Sequence, residues 1–190
     1  MNRSTECWND GSSIQHKIEL ARDLYAAWGD ALRRDPSIRD LIGKLDGSIK
    51  RSREAMLSLG IVEACKRCDE EEGGSCCGAG LENKFDRFLL LMNLLLGVPL
   101  PEYHCRLDSC YLLTPQGCRL KVRLILCVDF LCPKILGALT RDQLIKLQQI
   151  SGDELVIGFM LYDAIKKKLR REARGVRPGS ETQLKSWLLP

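Results

Sequence analysis

Apolar residues recur every three to four positions through the first 60 residues of the chain. Positions from Ile14 to Leu32 keep this helical spacing, and the run stops at Asp35-Pro36. A second run starts there, with Asp35 as a cap and Pro36 in the first turn, and continues towards the first clustered cysteine. The pattern predicts a pair of N-terminal helices within residues 13–63.

A third apolar run predicts a helix over residues 82–96. It is apolar on most of its circumference after Phe88, so we expect it to be the most buried helix. Gly97 and Pro99 follow the run and predict its end.

The C-terminal half shows two different periodicities. Four apolar residues, Leu120, Val122, Leu124 and Leu126, alternate with Lys121, Arg123 and Ile125, which favours a short strand. Two capping boxes then begin at Thr140 and Ser151, each followed by apolar residues at helical spacing. They predict two C-terminal helices within residues 140–175.

Together these elements predict a mainly α fold, a single helical domain over residues 1–190 with about five helices. Residues 65–133 form a cysteine-rich region of loop and short strand that binds metal, with the 82–96 helix inside it. Between Cys65 and Gly80 the composition changes to Cys, Gly, Glu and Asp, which is typical of a loop built around ligands.

Cysteine usage changes this picture most. Nine of the ten cysteines lie in the 68 residues from Cys65 to Cys132. The N-terminus lacks the pattern of a secretory signal, and the longest apolar stretch, Phe88 to Val98, is about half of the roughly 20 residues that a membrane span needs. We therefore expect a cytoplasmic protein without a membrane segment, whose thiols bind metal rather than form disulfides.

The first four clustered cysteines form two close pairs. Cys65 and Cys68 have the C-x-x-C spacing that lets two sulfurs reach one metal. Cys76 and Cys77 are adjacent, and adjacent side chains diverge. We infer that Cys76 and Cys77 serve different metals or different corners of a cluster.

The last four clustered cysteines also lie in pairs. A proline and a glycine between Cys110 and Cys118 mark a turn able to bring these two together. Cys127 and Cys132 bracket four residues. Cys7 and Cys105 fit neither arrangement and are interpreted as spare thiols.

The order C-x-x-C, then CC, then C-x-x-L ending in G-C, then an arginine and two closing cysteines resembles the YkgJ-type cysteine-cluster family of zinc- or iron-chelating domains. The resemblance covers Cys65 to Cys132 and implies metal binding by eight cysteines. The matched positions are Cys65, Cys68, Cys76, Cys77, Cys110, Cys118, Cys127 and Cys132, together with Leu113, Gly117 and Arg123.

The spacings leave two cofactors open, iron–sulfur clusters and zinc. Two closed four-cysteine zinc sites would use all eight thiols, but no second C-x-x-C knuckle follows Cys68. Iron–sulfur clusters accept irregular spacing, which favours them slightly. Arg123 is expected to offset the negative charge of the thiolates and so to contact the cofactor. Because residues 65–80 hold few large apolar side chains, metal removal is expected to loosen them and residues 105–133.

No nucleotide-binding loop, zinc-protease motif or nucleophile–histidine arrangement occurs, so no enzymatic activity is assigned. The residues favour a metal-binding protein with a structural, carrier or adaptor role and a protein partner. The alternative is an iron–sulfur enzyme or electron-transfer protein with its active site beside the cluster. The basic stretch from Lys166 to Arg171 has no interleaved aromatics, so nucleic acid is not expected as a partner.

Overall fold

Helices make up most of the chain, which confirms the mainly α prediction. The computed structural model describes residues 13–70, 76–104 and 108–175. The helices are α1 (Ser13–Arg34), α2 (Pro36–Ser58), α3 (Ile61–Glu70), α4 (Arg87–Leu95), α5 (Ile125–Asp129), α6 (Pro133–Ala138) and α7 (Arg141–Gly175), with a 3-10 helix at Leu81–Lys84 and two short strands, β1 (Leu113–Thr114) and β2 (Gly117–Cys118).

The N-terminal helices begin and end largely where their pattern predicts. Asp35 caps α2, since its Oδ1 accepts hydrogen bonds from the backbone N–H of Ser37 and Ile38. The predicted continuation into the cysteines is wrong in one respect. Gly60, at φ +69°, ends α2 and starts a new helix, α3. The C-x-x-C pair therefore lies on a helix, and the predicted loop does not begin at Cys65.

The buried helix α4 is shorter than predicted. Residues 81–84 form the 3-10 helix, and α4 begins only after Asp86. The Asp86 Oδ1 accepts hydrogen bonds from the backbone N–H of Phe88 and Leu89, at 3.0 and 2.8 Å, which caps the helix at this point. Most of its residues are buried, as predicted, and Gly97 at φ +74° follows its end.

The predicted strand over residues 120–126 is wrong, because α5 begins at Ile125 and the described strands lie earlier. β1 and β2 form a two-residue antiparallel hairpin in which Leu113 pairs with Cys118. Gly117, at φ +101°, adopts a backbone conformation that favours glycine. The turn predicted between Cys110 and Cys118 is confirmed.

One long helix, α7, replaces the two predicted C-terminal helices. The capping box at Thr140 forms, since the backbone N–H of Gln143 donates to Thr140 Oγ1 and the backbone N–H of Thr140 donates to Gln143 Oε1. The second predicted capping box, at Ser151, does not form. Ser151 is buried within α7, where its hydroxyl donates to the carbonyl oxygen of Leu147 at 3.0 Å.

Two helix pairs organise the packing: α2 lies along α7, and α1 lies along α4. Between them the buried apolar residues form three clusters. The central cluster joins α1, α2, α4 and α7 and comprises Leu24, Leu32, Ile38, Leu45, Ile49, Phe88, Leu91, Met92, Leu95, Val122, Leu161, Ile165 and Leu169. The second cluster comprises Ile14, Ile18, Ala21, Phe85, Leu90, Leu100, Cys110, Tyr111, Leu112 and Leu120. The small cluster comprises Met56, Ile61, Ile135 and Leu147.

Within the described ranges, no helix combines the length and the apolar character that crossing a bilayer requires.

Candidate metal centre

The small cluster positions the C-x-x-C pair and the last cysteine. Cys65 and Cys68 are three positions apart on α3 and so lie on one helix face. Cys132 directly precedes α6, whose first residue is Pro133. Both Cys65 and Cys132 pack against the small cluster, so α3 and α6 bring together thiols that are 67 positions apart in sequence.

The second cluster positions three other cysteines. Cys110 is one of its buried members, and Cys77 and Cys118 pack against it. The backbone N–H of Cys110 donates to the carbonyl oxygen of Cys77 at 2.7 Å, which joins these segments directly. The β1–β2 hairpin places Cys118 opposite Leu113.

Glu82 strengthens this connection between the two segments. It is only 8% exposed, and its carboxylate accepts hydrogen bonds from the backbone N–H of Gly80 and of Tyr111. Because this buried carboxylate has backbone partners in two segments of the chain, it holds the two segments together. Sequence reasoning placed Glu82 inside a helix and assigned it no role.

His104 is buried beside the same segment but has a structural partner. Its Nε2 lies 2.9 Å from the carbonyl oxygen of Ser109, and its ring lies against that of Tyr111. It therefore contributes to packing. The neighbouring Cys105, like Cys7, lies outside the described residues.

The thiols that act on the pKa of Cys65 differ from those that act on the pKa of Cys110, and we use this difference to sort the eight cysteines into two groups of four. Burial raises the pKa of Cys65, and three other thiols raise it further. These thiols belong to Cys68, Cys76 and Cys132. We call these four the first cysteine group.

The remaining four thiols form the second cysteine group: Cys77, Cys110, Cys118 and Cys127. Burial raises the pKa of Cys110 to about 12, and Cys118 and Cys127 add to this effect. The hydrogen bond with Cys76, burial and the charge of Cys76 raise the pKa of Cys77 most, and Cys127 and Cys118 raise it further. Burial raises the pKa of Cys127 as well, followed by the effect of Cys118.

The adjacent cysteines Cys76 and Cys77 fall into different groups. A hydrogen bond between their side chains lowers the pKa of Cys76 and raises that of Cys77. Cys76 also affects Cys127, so the two groups adjoin at this pair. The two thiols are thus in direct contact, and Cys76 acts on thiols of both groups. That Cys76 and Cys77 serve different centres stays a prediction.

Across residues 13–70, 76–104 and 108–175, no set of three or more cysteine, histidine or carboxylate side chains has the geometry to hold a metal ion.

Two arginines lie beside the second cysteine group. Burial raises the pKa of Cys118, and the charges of Arg123 and Arg53 oppose this shift. The Arg53 Nη2 donates to the carbonyl oxygen of Leu120 at 2.6 Å, which holds its guanidinium in place. Arg123 is the residue expected to contact the cofactor. Its charge also opposes the rise that burial causes in the pKa of Cys127.

Arg123 has two buried donors, Nε and Nη2, without a hydrogen-bond partner among the described residues. These atoms form one edge of the guanidinium, and a buried edge of this kind is costly unless an acceptor faces it. Thiolates at Cys118 and Cys127, with the charge of a group they hold, would supply negative charge there. An arginine beside an all-sulfur donor set is compatible in charge with an anionic, thiolate-held centre, although the described side chains are not arranged as one.

The comparison of this chain with protein families, with curated proteins and with solved structures finds no match. The resemblance to YkgJ-type proteins therefore rests on the order of the cysteines together with Leu113, Gly117 and Arg123.

Proposed function

We propose that this protein is a cytoplasmic, metal-binding cysteine-cluster protein in which eight cysteines hold two centres, four cysteines to each. The observation that carries the proposal is that Cys68, Cys76 and Cys132 act on Cys65, whereas Cys118 and Cys127 act on both Cys77 and Cys110. Cys65 and Cys132 of the first group pack against the small cluster, and three thiols of the second group belong to the second cluster or pack against it, an observation independent of their charges.

Iron–sulfur clusters are our first candidate for these centres and zinc is the second. Both take four thiolates, but irregular ligand spacing from distant segments is more typical of iron–sulfur proteins. The unpartnered donors of Arg123 support a centre with negative charge in the second cysteine group.

The chain's own residues favour a structural, carrier or adaptor role. Four cysteine ligands saturate a zinc ion or a four-iron cluster, so neither centre would have an open position for a substrate. The ligands come from α3, the segment after residue 75, the β1–β2 hairpin and the short helices α5 and α6. Holding these segments together is a role that this arrangement supports directly.

An iron–sulfur enzyme or electron-transfer protein is the second candidate. One observation favours it: a cavity of about 350 Å³ is lined in part by Arg123, the arginine that faces the second cysteine group. A pocket beside the cluster is what this alternative requires.

Metal and sulfide analysis of protein purified without air tests the proposal. We expect two centres per chain, with sulfide equal to iron if they are iron–sulfur clusters. Cys76→Ser should lose the first centre and Cys77→Ser the second, so each variant retains about half the metal. Cys7→Ser and Cys105→Ser are matched controls and should retain all of it.

Each other outcome has a definite meaning. Colourless protein with two zinc ions per chain would replace iron–sulfur by zinc and keep the two-centre arrangement. Protein without stoichiometric metal would overturn the proposal. If Cys76→Ser and Cys77→Ser remove the same centre, the division into two groups is wrong.

A further inference from the structure

The same cavity also has the features of a ligand-binding site. It lies between α7 and the segment from Val122 to Leu126, and Leu45 and Ile49 of α2 lie beneath it. Its volume of about 350 Å³ is in the range of small-molecule pockets, and most of its lining side chains are apolar.

Large apolar side chains surround the opening of the cavity in exposed positions. Ile125 is 67% exposed, Leu126 is 53% exposed and Phe159 is 71% exposed. Val156 and Met160, which are also exposed, continue this surface on the same face of α7. Clustered exposed apolar residues with a polar rim are typical of binding sites.

Positive charge surrounds one end of the cavity, at Tyr162. Lys84 lines the cavity, and its ammonium has neither a hydrogen bond nor an ion pair with any described residue. The Lys166 ammonium lies 5.0 Å from the centre of the Tyr162 ring. Burial and Asp86 raise the pKa of Tyr162, and the positive charges of Arg87 and Arg170 oppose this rise.

The carboxylate at this end, Asp86, is already occupied. Its Oδ1 caps α4, and its Oδ2 accepts a hydrogen bond from the Tyr162 hydroxyl at 2.5 Å. The other lining carboxylate, Glu154, lies two helical turns away, about 12 Å along α7. The Tyr162 end therefore carries net positive charge beside a long apolar space.

We propose that this cavity binds a free, single-chain carboxylate of medium length. The carboxylate lies between Lys84 and Lys166, and the hydrocarbon chain extends along α7 past Gly158 towards Glu154. The positive charge selects an anionic head, and the apolar lining accommodates the chain. This inference does not depend on which metal the cysteines hold, or on whether they hold one.

Octanoate is a suitable probe, titrated calorimetrically into the full chain with whatever metal it carries. Octanoate should bind, whereas n-octanol and octylammonium should bind at least tenfold more weakly. Lys84→Gln and Lys166→Gln should each weaken octanoate binding severalfold and leave the weaker binding of n-octanol unchanged.

Glycines in α7 provide a matched pair of variants. A Cβ at Gly158 would lie 3.8 Å from Leu45 Cδ1, so the side chain of Gly158→Leu would extend into the cavity and should abolish octanoate binding. A Cβ at Gly152 would meet nothing within 4 Å, and Gly152→Leu should retain full affinity. Circular dichroism verifies that both variants fold.

Three results would overturn the proposal. The first is equal octanoate affinity in the two leucine variants or no octanoate binding at all. The second is binding to anionic lipid vesicles without binding to octanoate, which would assign the apolar opening to a membrane surface. The third is a concentration-dependent dimer that Gly158→Leu disrupts, which would assign the opening to a second copy of the chain.

Discussion

Asn93 is a fully buried polar side chain in the middle of the apolar helix α4. Its Oδ1 accepts hydrogen bonds from the backbone N–H of Lys121 and Val122, at 2.9 and 3.0 Å. Its Nδ2 donates to the Val122 carbonyl oxygen at 3.0 Å. One side chain thus holds the short segment between Cys118 and Arg123, two residues of the candidate site, against α4.

Replacing this side chain should destabilise the protein strongly. Asn93→Leu keeps a similar volume but leaves two backbone N–H groups and one carbonyl without their partner. We expect the free energy of unfolding to fall by at least about 3 kcal/mol, because three groups lose their partner and each buried unpaired group costs about 1 to 3 kcal/mol. Urea denaturation at equal metal content measures this change.

Asn83→Leu is the matched control. Asn83 is exposed, and its side chain accepts a hydrogen bond only from the exposed Ser13 hydroxyl. Its substitution should change stability by no more than about 0.5 kcal/mol. Equal effects of the two substitutions would show that Asn93 does not hold the segment.

Residues whose role depends on local spacing could be predicted, and residues whose role depends on distant contacts could not. The eight cysteines and Arg123 follow from the order of the sequence. Glu82 and Asn93 each bind backbone groups about 29 positions away. No local pattern indicates such a contact, and both residues fall within a predicted helix.

At the scale of elements, a contact with a distant residue also explains why the strand predicted over residues 120–126 does not form. Leu120 and Val122 are buried, as the alternating pattern predicts. A strand also needs a neighbouring strand for its hydrogen bonds. Here Asn93 bonds the backbone groups of Lys121 and Val122, and the chain enters α5 directly afterwards. The burial was predictable, but the hydrogen-bonding partner was not.

Helix ends show where tertiary packing overrides local signals. The capping box at Ser151 resembles a helix start, but Ser151 and Glu154 are buried, at 2% and 4% exposure, and α7 continues through them. At Gly60 the reverse occurs, since an otherwise helical pattern is interrupted by a positive φ. Both errors concern helix ends: the start signal at Ser151 is not used, and the break at Gly60 has no counterpart in the apolar pattern.

A pair of glycine substitutions tests both of these helix assignments. Gly152→Ala should raise the free energy of unfolding by about 0.5 to 1 kcal/mol, because alanine is favoured in a helix interior. Gly60→Ala should lower it by about 1 to 2 kcal/mol, because φ is +69° there. Neither added Cβ meets another atom within 4 Å, so the two substitutions differ mainly in backbone conformation. Thermal or urea unfolding measures both.

The opposite pattern would be informative. If Gly152→Ala has no effect, a helix start lies near Ser151 and α7 is not continuous. If Gly60→Ala stabilises the protein, α2 and α3 form one helix.

At the scale of the whole molecule, the two cysteine groups differ in the support they receive from the apolar core. Three thiols of the second group, those of Cys77, Cys110 and Cys118, lie in or against the second cluster, where Tyr111, Leu112 and Leu120 are at most 2% exposed. Two thiols of the first group, those of Cys65 and Cys132, lie against the small cluster of four buried residues. The sequence predicts that few large apolar residues support the cysteine region, and the structure corrects this for residues 110–122.

Metal removal should therefore loosen the molecule unevenly. In hydrogen–deuterium exchange, α3 and residues 125–138 should lose most of their protection after chelation, because the small cluster that supports them has only four buried apolar residues. Residues 110–122 should lose less, because the second cluster and Asn93 anchor them without metal. The large helices α1, α2, α4 and α7 should keep the helical signal in circular dichroism.

Cys76→Ser provides a control for this experiment, since it should remove only the first centre. Its exchange pattern should match that of the chelated protein at α3 and match the untreated protein at residues 110–122. Loss of protection throughout α1 and α7 on chelation would mean that metal is needed for the entire fold. Unchanged protection at α3 would mean that no metal links α3 to α6, and the first cysteine group would then have to be abandoned as a centre while the second could still stand.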